Sequence, residues 1–329
     1  MMNENLTLYP KVAIVVPVYN VEKYISECLV SILDQTYQNW DCFVVNDGST
    51  DGSAKIIDMF AEKDSRFKVI HKLNGGVCSA RNCALDLIEK DNSYELIGFV
   101  DGDDLIHKEM IFELVKSIQK HHSDISVCGY YKFDEGLDHT KRTLSNDTDI
   151  SLEDYLCLIF SKGQWKDSCL AGGMVCKSLF KSSVVSGVRF TKKNIVEDEL
   201  FSVQVASNAT KVSVVNQALY GYRRRETSLV RSNNFQNKHM EGRRACIDEA
   251  SKISDFAKQI TVLAYLSSII NLFKQEELPI TLLTAYEAEF RKAKSNGIVD
   301  YKTRILFNLF TRHATLSNLY RSVRKFLKR

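Results

Sequence analysis

No CxxC pair and no histidine at zinc spacing accompanies the nine cysteines, which are scattered at positions 28, 42, 78, 83, 128, 157, 169, 176 and 246. A zinc ribbon or finger is therefore excluded. An odd, dispersed set inside apolar stretches such as DCFVV and ISVCGYY reads as buried free thiols in a reducing compartment. No apolar run approaches the roughly 20 residues that a membrane-crossing helix needs, and the opening MMNENLTLYPKVAIVV has no basic segment ahead of an apolar one. The expected setting is cytoplasmic. Neither charge dominates: 44 Lys and Arg face 41 Asp and Glu, a formal +3, which leaves no electrostatic footprint for nucleic acid. No GxGxxG follows the first apolar run and no GxxxxGK[ST] exists, which argues against a dinucleotide fold and a P-loop. No internal repeat or low-complexity linker interrupts the chain.

What is present is ordinary in bulk and specific in order. The 329 residues, 44% hydrophobic and 26% charged, suffice for one large core with an appendage. Apolar runs at 11–19, 41–46, 67–71 and 95–100 and in DISVCGYY predict strands. Between them lie helical patterns at 21–35, with Tyr24, Ile25, Cys28, Leu29 and Ile32 on one face, from Asp51 to Met59, at 76–90 and over IHKEMIFELVKSIQKHH. Near-continuous apolar strands alternating with helices predict an α/β fold, a Rossmann-like, mostly parallel sheet covered on both faces. Ligands of such sheets bind at the carboxyl ends of the strands. Those ends carry PVYN, NDGSTDGS and DGDD. Beyond about 135 a polar loop, a short helix in SLEDYLCLIF and an irregular SLFKSSVVSGVRF lead to IVEDELFSVQVA and to a strand pair in KVSVVN and LYGYRRR. From about 235 the pattern is helical, with Gly297 the one glycine after Gly242. The expected division is a sheet domain over 1–232 and a helical region over 233–329.

The stretch YELIGFVDGDDLI sets Asp101, Asp103 and Asp104 within four positions at the exit of a buried strand. Like charges so close repel, and a carboxylate leaving water needs a cation or a set of donors. A calcium loop counted from Asp101 would place Ile106 sixth and Phe112 twelfth, neither of which suits it. A single Mg²⁺ or Mn²⁺ with few protein ligands fits the motif better, beside the alternative of a purely structural acidic turn. NDGSTDGS and GGVCSARN serve equally as strand-to-helix turns or as ligand loops. Glu197-Asp198-Glu199 opens an amphipathic pattern, where acids complement a helix dipole or supply a general base.

Taken in order, VVPVYNVEKYISECLVSILDQTYQNWDCFVVNDGSTDGS, NGGVCSARNCAL, GFVDGDD and VEDELF resemble the family 2 inverting glycosyltransferases of GT-A fold, of the bacterial polysaccharide type. The resemblance covers roughly residues 10 to 225. It implies transfer of a hexosyl or N-acetylhexosaminyl group from a nucleotide-diphospho-sugar, a UDP-sugar, to a glycan or lipid-linked saccharide acceptor, with Mn²⁺ or Mg²⁺ assisting. By the same resemblance, Pro17, Tyr19 and Glu22 form a wall for the nucleotide, Asp47 accepts a hydrogen bond from uracil, and Arg81 faces the diphosphate. Asp101 approaches the ribose, Asp103 holds the metal, and Asp198 is the base. The family often has Asp where Asn46 stands. The basic YGYRRRETSLVR, with Ser228, would close over the phosphates, and Trp165 would stack on a sugar or be a buried aromatic.

Two other readings stand beside this one. A sugar-nucleotide pyrophosphorylase would want a Gly-rich basic signature near the N-terminus, which PVYN is not, and an inactive nucleotide-sugar binder would not need both Asp103 and Asp198. From Tyr301 to Arg329 there are eight Lys or Arg and no Asp or Glu, with Leu316, Leu319, Tyr320, Val323, Phe326 and Leu327 at helical spacing. That pattern suits peripheral contact with an anionic membrane, on the inner face of the cell membrane, or packing on the domain.

Overall fold

The computed structural model describes residues 9–134, 147–161, 168–191, 196–224, 235–272 and 287–295. Its first part repeats a strand and a helix: β1 (Val12–Val18), α1 (Ile25–Leu33), β2 (Trp40–Asp47), α2 (Ser53–Lys63), β3 (Phe67–Lys72), α3 (Val77–Asp91) and β4 (Leu96–Phe99). These strands pair in parallel in the order β3-β2-β1-β4. Their continuous apolarity has a direct cause. In β1, Val12, Ile14, Val16 and Val18 pack with α1 on one face, while Ala13 and Val15 pack with α3 on the other. Each valine or isoleucine so enclosed contributes roughly 1.5–3 kcal/mol.

The chain continues through β5 (Leu105–Ile106), α4 (Met110–His121), β6 (Ile125–Phe133), β7 (Thr148–Ile150) and α5 (Leu152–Ile159). Then come β8 (Ser178–Lys181), α6 (Ser182–Val185), α7 (Glu197–Asn208) and β9 (Val212–Arg223). β8 lies antiparallel between β4 and β6, and β9 pairs in parallel with β6 and antiparallel with β5 and β7. The helical pattern expected from Ile106 thus starts later, after a two-residue strand, and the helix begun near Asp51 runs on to Lys63. The stretch expected to be irregular contains β8 and α6.

The largest correction concerns the expected strand pair at KVSVVN and LYGYRRR. It is one twelve-residue strand, β9. Asn216 and Gln217 look like a turn, but they are extra residues in a bulge: Cys128 faces Val215 while Gly129 faces Ala218. Gly129 is suited to this place because a Cβ there would stand 3.1 Å from the Gln217 carbonyl oxygen and 2.8 Å from the Cys169 sulfur.

Past the sheet lie α8 (Phe235–Ala250), α9 (Asp255–Leu272) and α10 (Glu287–Ser295). Cys246, Ala250, Ala257, Ile260 and Ala264 belong to the same buried cluster as α3 and α7. Arg243 forks onto Glu199 at 2.9 and 2.7 Å, tying α8 to the start of α7. None of the nine cysteines is in a disulfide. Trp165, the segment from Arg225 to Arg231 and the basic stretch 301–329 lie outside the described residues. No helix among the described residues is long and apolar enough to cross a membrane.

Candidate active site

The carboxyl ends of β1, β2 and β4 open on one crevice, as parallel α/β topology dictates. After β1, the half-buried Pro17 leads to Tyr19, which is 51% exposed. The turn after β4 rests on this strand: a Cβ on Gly102 would stand 3.0 Å from the Pro17 carbonyl oxygen, so glycine permits the approach of DGDD to PVYN. Glu22 has a different surrounding from the nucleotide wall that the resemblance implied. Its carboxylate accepts the Gly52 amide at 2.6 Å, and its own amide donates to Asp51 at 3.1 Å. A second clip joins Asn20 to Ser49 and Thr50 at 3.2 and 2.8 Å. These reciprocal bonds fasten the loop after β1 to the loop after β2.

Asp47 ends β2 and stands in register with Lys72 at the end of β3. Its buried carboxylate accepts Lys72 Nζ at 2.5 Å, the Gly76 amide at 2.7 Å and the Gly75 amide at 3.0 Å. Those amides belong to the entry of α3, whose donors have no partner within the helix. The Gly75 amide also lies 3.1 Å from the second oxygen, so both carboxylate oxygens are engaged. Lys72 was not singled out in the sequence. The signal available was its place as the last residue of the strand beside Asp47. Asn46 is turned to the loop, accepting the Ser49 amide at 3.0 Å and meeting His71 at 3.0 Å.

The three carboxylates of DGDD are sorted by their neighbours. Asp104, 1% exposed, accepts the Tyr220 hydroxyl at 2.6 Å and the Arg223 amide at 2.8 Å. Burial first, then the charges of Asp103 and Asp101, push its carboxyl well above the ordinary range. Arg223 in turn donates from Nε to the Asp103 carbonyl oxygen at 2.8 Å and from Nη2 to Glu27 at 2.6 Å, with its guanidinium 4.6 Å from the Phe133 ring centroid and 5.0 Å from that of Tyr24. Tyr220 and Arg223 therefore hold the acidic turn from β9. No sequence pattern marks this tie, since over a hundred residues separate the partners.

Asp101 is 30% exposed at its side chain and pairs with Arg81 Nη2 at 2.8 Å. Nη1 of the same guanidinium donates to Asp198 Oδ1 at 2.6 Å. Arg81, on the first turns of α3, is 2% exposed and lies over the Phe190 ring at 4.9 Å. Phe190 stacks on Phe201 at 4.0 Å, and both pack edge-on to Phe99, so the ion pairs rest on a dry aromatic floor. Arg81 Nε is buried with no acceptor among the described residues.

Asp198 is in the first turn of α7, 23% exposed at its side chain, with Oδ2 accepting the Val175 amide at 3.3 Å. Burial raises its pKa, Arg81 lowers it, and Asp101 raises it again, with a net rise. Glu197 beside it is pushed up to about 7, by burial first and then by the Asp198 charge. Two acids whose titration is linked share their protons as a pair. Arg81, which the resemblance set facing a diphosphate, donates here to two carboxylates, Asp198 and Asp101.

Among the described residues no three His, Cys, Asp or Glu side chains converge as a complete metal cage. Asp104 is turned to Tyr220 and β9, which leaves the half-buried Asp103 as a hard oxygen donor at the turn. Such a sparse oxygen set fits an ion that takes most of its ligands from water and substrate phosphate, as Mg²⁺ and Mn²⁺ do.

In fold, the chain resembles TarS of Staphylococcus aureus, seen in complex with UDP-GlcNAc: TM-score 0.66, 20% identity, 95% of this chain and 92% of that one. The molecule has the GT-A fold of glycosyltransferases. The sequence model of Glycosyl transferase family 2 matches residues 13–185. Two relatives from Streptococcus pneumoniae serotype 4 agree. Glycosyltransferase GlyG is 33% identical over 225 residues, 67% of this chain and 73% of that protein. Glycosyltransferase GlyA is 34% identical over 231 residues, 67% of this chain but 32% of its own greater length. This chain belongs to glycosyl transferase family 2 and is a glycosyltransferase.

Proposed function

We propose that the protein transfers a sugar from a uridine-diphospho-sugar to a hydroxyl of a glycan or lipid-linked acceptor by direct displacement, with inversion at the anomeric carbon. The observation that carries this is the line of Asp101, Arg81 and Asp198. A donor-side carboxylate and a half-open carboxylate at a helix start are fixed on one buried cation. In a direct displacement the acceptor hydroxyl loses its proton as it attacks, and Asp198 would take it. Asp47 and Tyr19 would hold the uracil, Asp47 through its carboxylate and Tyr19 with its exposed ring. Asp101 would hold the ribose. Asp103 would hold Mn²⁺ or Mg²⁺, which when bound neutralises charge on the departing diphosphate. The UDP-GlcNAc bound by TarS and the names of the streptococcal relatives support this reading.

The test is incubation with a panel of nucleotide-sugars and Mn²⁺, following nucleotide release and the anomeric configuration of the product. Release from a uridine donor, product of inverted configuration and loss of turnover on chelation or in Asp103→Asn, with the fold intact by circular dichroism, are expected. Full turnover in excess chelator would remove the metal role. Retained configuration would remove direct displacement.

A further inference from the structure

We propose that Arg81 is a positioning residue, not a phosphate ligand: its buried guanidinium fixes the carboxylates of Asp101 and Asp198 relative to each other and so sets the direction of the base. The inference rests on the reading of Asp198 as base and Asp101 as a donor contact. Each terminal nitrogen of Arg81 donates to a carboxylate, Nη1 to Asp198 at 2.6 Å and Nη2 to Asp101 at 2.8 Å. The guanidinium is covered by the Phe190 ring on one side and nearly closed to solvent, whereas a phosphate ligand needs its N–H groups open to the crevice.

Asp198 is held at two points. One oxygen is on Arg81 and the other on the Val175 amide at 3.3 Å, while part of the carboxylate still meets solvent. That is what a base requires: a fixed direction and one open side. The groups that face it are Arg81 from α3, Asp101 from the end of β4, Glu197 from α7 itself and the Val175 amide. Arg81 is the cation among them, set against Asp101 and Glu197. Remove it and the remaining carboxylates repel, so Asp198 both turns and holds its proton to higher pH. A guanidinium serves better than an ammonium, since its planar fork presents two nitrogens in fixed directions to two different acids.

The experiment compares wild type with Arg81→Gln and Arg81→Lys in three readouts: UDP binding by calorimetry with Mn²⁺ present, kcat at saturating donor, and the pH profile of kcat. We expect UDP affinity to change less than about threefold, kcat to fall roughly 10–100-fold in Arg81→Gln, as misplacement of a reacting group does, and the acid limb to move to higher pH. Arg81→Lys should restore the limb, which depends on charge, and only part of kcat, which depends on direction. UDP affinity lowered tenfold or more, with kcat and the acid limb unchanged, would make Arg81 a phosphate ligand and overturn the inference. If Arg81→Gln does not fold, Arg81→Lys decides: unaltered kcat and profile overturn it. A wild-type protein that binds no uridine nucleotide and turns over no donor fails at the functional reading itself, and this inference falls with it.

Discussion

The two sides of the crevice are built on different physics. On the β1–β2–β3 side, every acidic group is met by the chain's own donors: Glu22 by Gly52, Asp51 by Ser53 and Glu22, Asp47 by Lys72 and two amides. On the side of β4 and α7, Asp101, Glu197 and Asp198 crowd around one arginine and two of them keep elevated pKa values. The first side is satisfied, and its task is to present a fixed surface. The second is kept out of electrostatic balance, and groups out of balance near neutral pH are the ones that exchange protons. On the proposed reading, binding would rest on the hydrogen-bonded side and proton transfer on the charged one.

The sharpest way to break the comparison is to neutralise the unbalanced side. Asp198→Asn keeps the shape but accepts from only one of Arg81 and the Val175 amide and loses the base, so kcat should fall roughly 10²–10⁴-fold with UDP affinity little changed. Steady-state kinetics beside calorimetry checks it, and a near-normal kcat would transfer the base to Glu197. The opposite signature belongs to Asp47→Ala. It strands Lys72 and two amides, so thermal unfolding should show a loss of about 1–3 kcal/mol, together with weaker UDP binding. Unchanged UDP affinity would leave Asp47 as a fastener of α3 alone.

The smallest effect tests the imbalance itself. Glu197 titrates near 7 in place of its ordinary 4.5, so its ionised form is disfavoured by folding. Stability is undiminished below about 4.5, where folded and unfolded chains are both protonated, and is lost as pH rises through 7. Glu197→Gln should therefore match wild type at pH 4.5 and exceed it by about 1–2 kcal/mol at pH 8, a figure reduced for partial exposure and for its link to Asp198. Equal denaturation midpoints at both pH values would show that the acid is relaxed.

Much of this was legible in the chain because parallel βα units write their burial plainly. A strand covered on both faces must be apolar at every position, and the carboxyl-end rule then places PVYN, NDGSTDGS and DGDD together without any coordinates. Partners that depend on tertiary approach were not legible. Arg81 and Asp198 are 117 residues apart, and nothing in SARN distinguishes a cation that faces phosphate from one that faces two carboxylates. The clip made by Glu22 was not legible either, because a loop clip and a ligand contact call for the same acid. β8 was missed because four residues of antiparallel strand running straight into a single helical turn carry no period of their own.

The bulge in β9 has a bearing on which length variants this chain can tolerate. Ile125 faces Val212, yet Phe133 faces Arg223, so β9 has used three more residues than β6 over the same span. Two of these are Asn216 and Gln217 and the third is Leu219, at a second shift between Gly129 and Tyr130; side chains alternate faces with period two, so the odd total reverses the side to which Tyr220 through Arg223 point. Without that surplus the Tyr220 hydroxyl would point away from Asp104 and Asp101, which it now meets at 2.6 and 3.3 Å. Insertions and deletions at Asn216–Gln217 are consequently read modulo two: a net change of one residue unhooks the acidic turn from β9, while a change of two keeps the facing and displaces it along the strand by about 7 Å. A segment resembling an ordinary surface turn is therefore among the least editable in the molecule, though it lies outside the crevice and carries no chemistry.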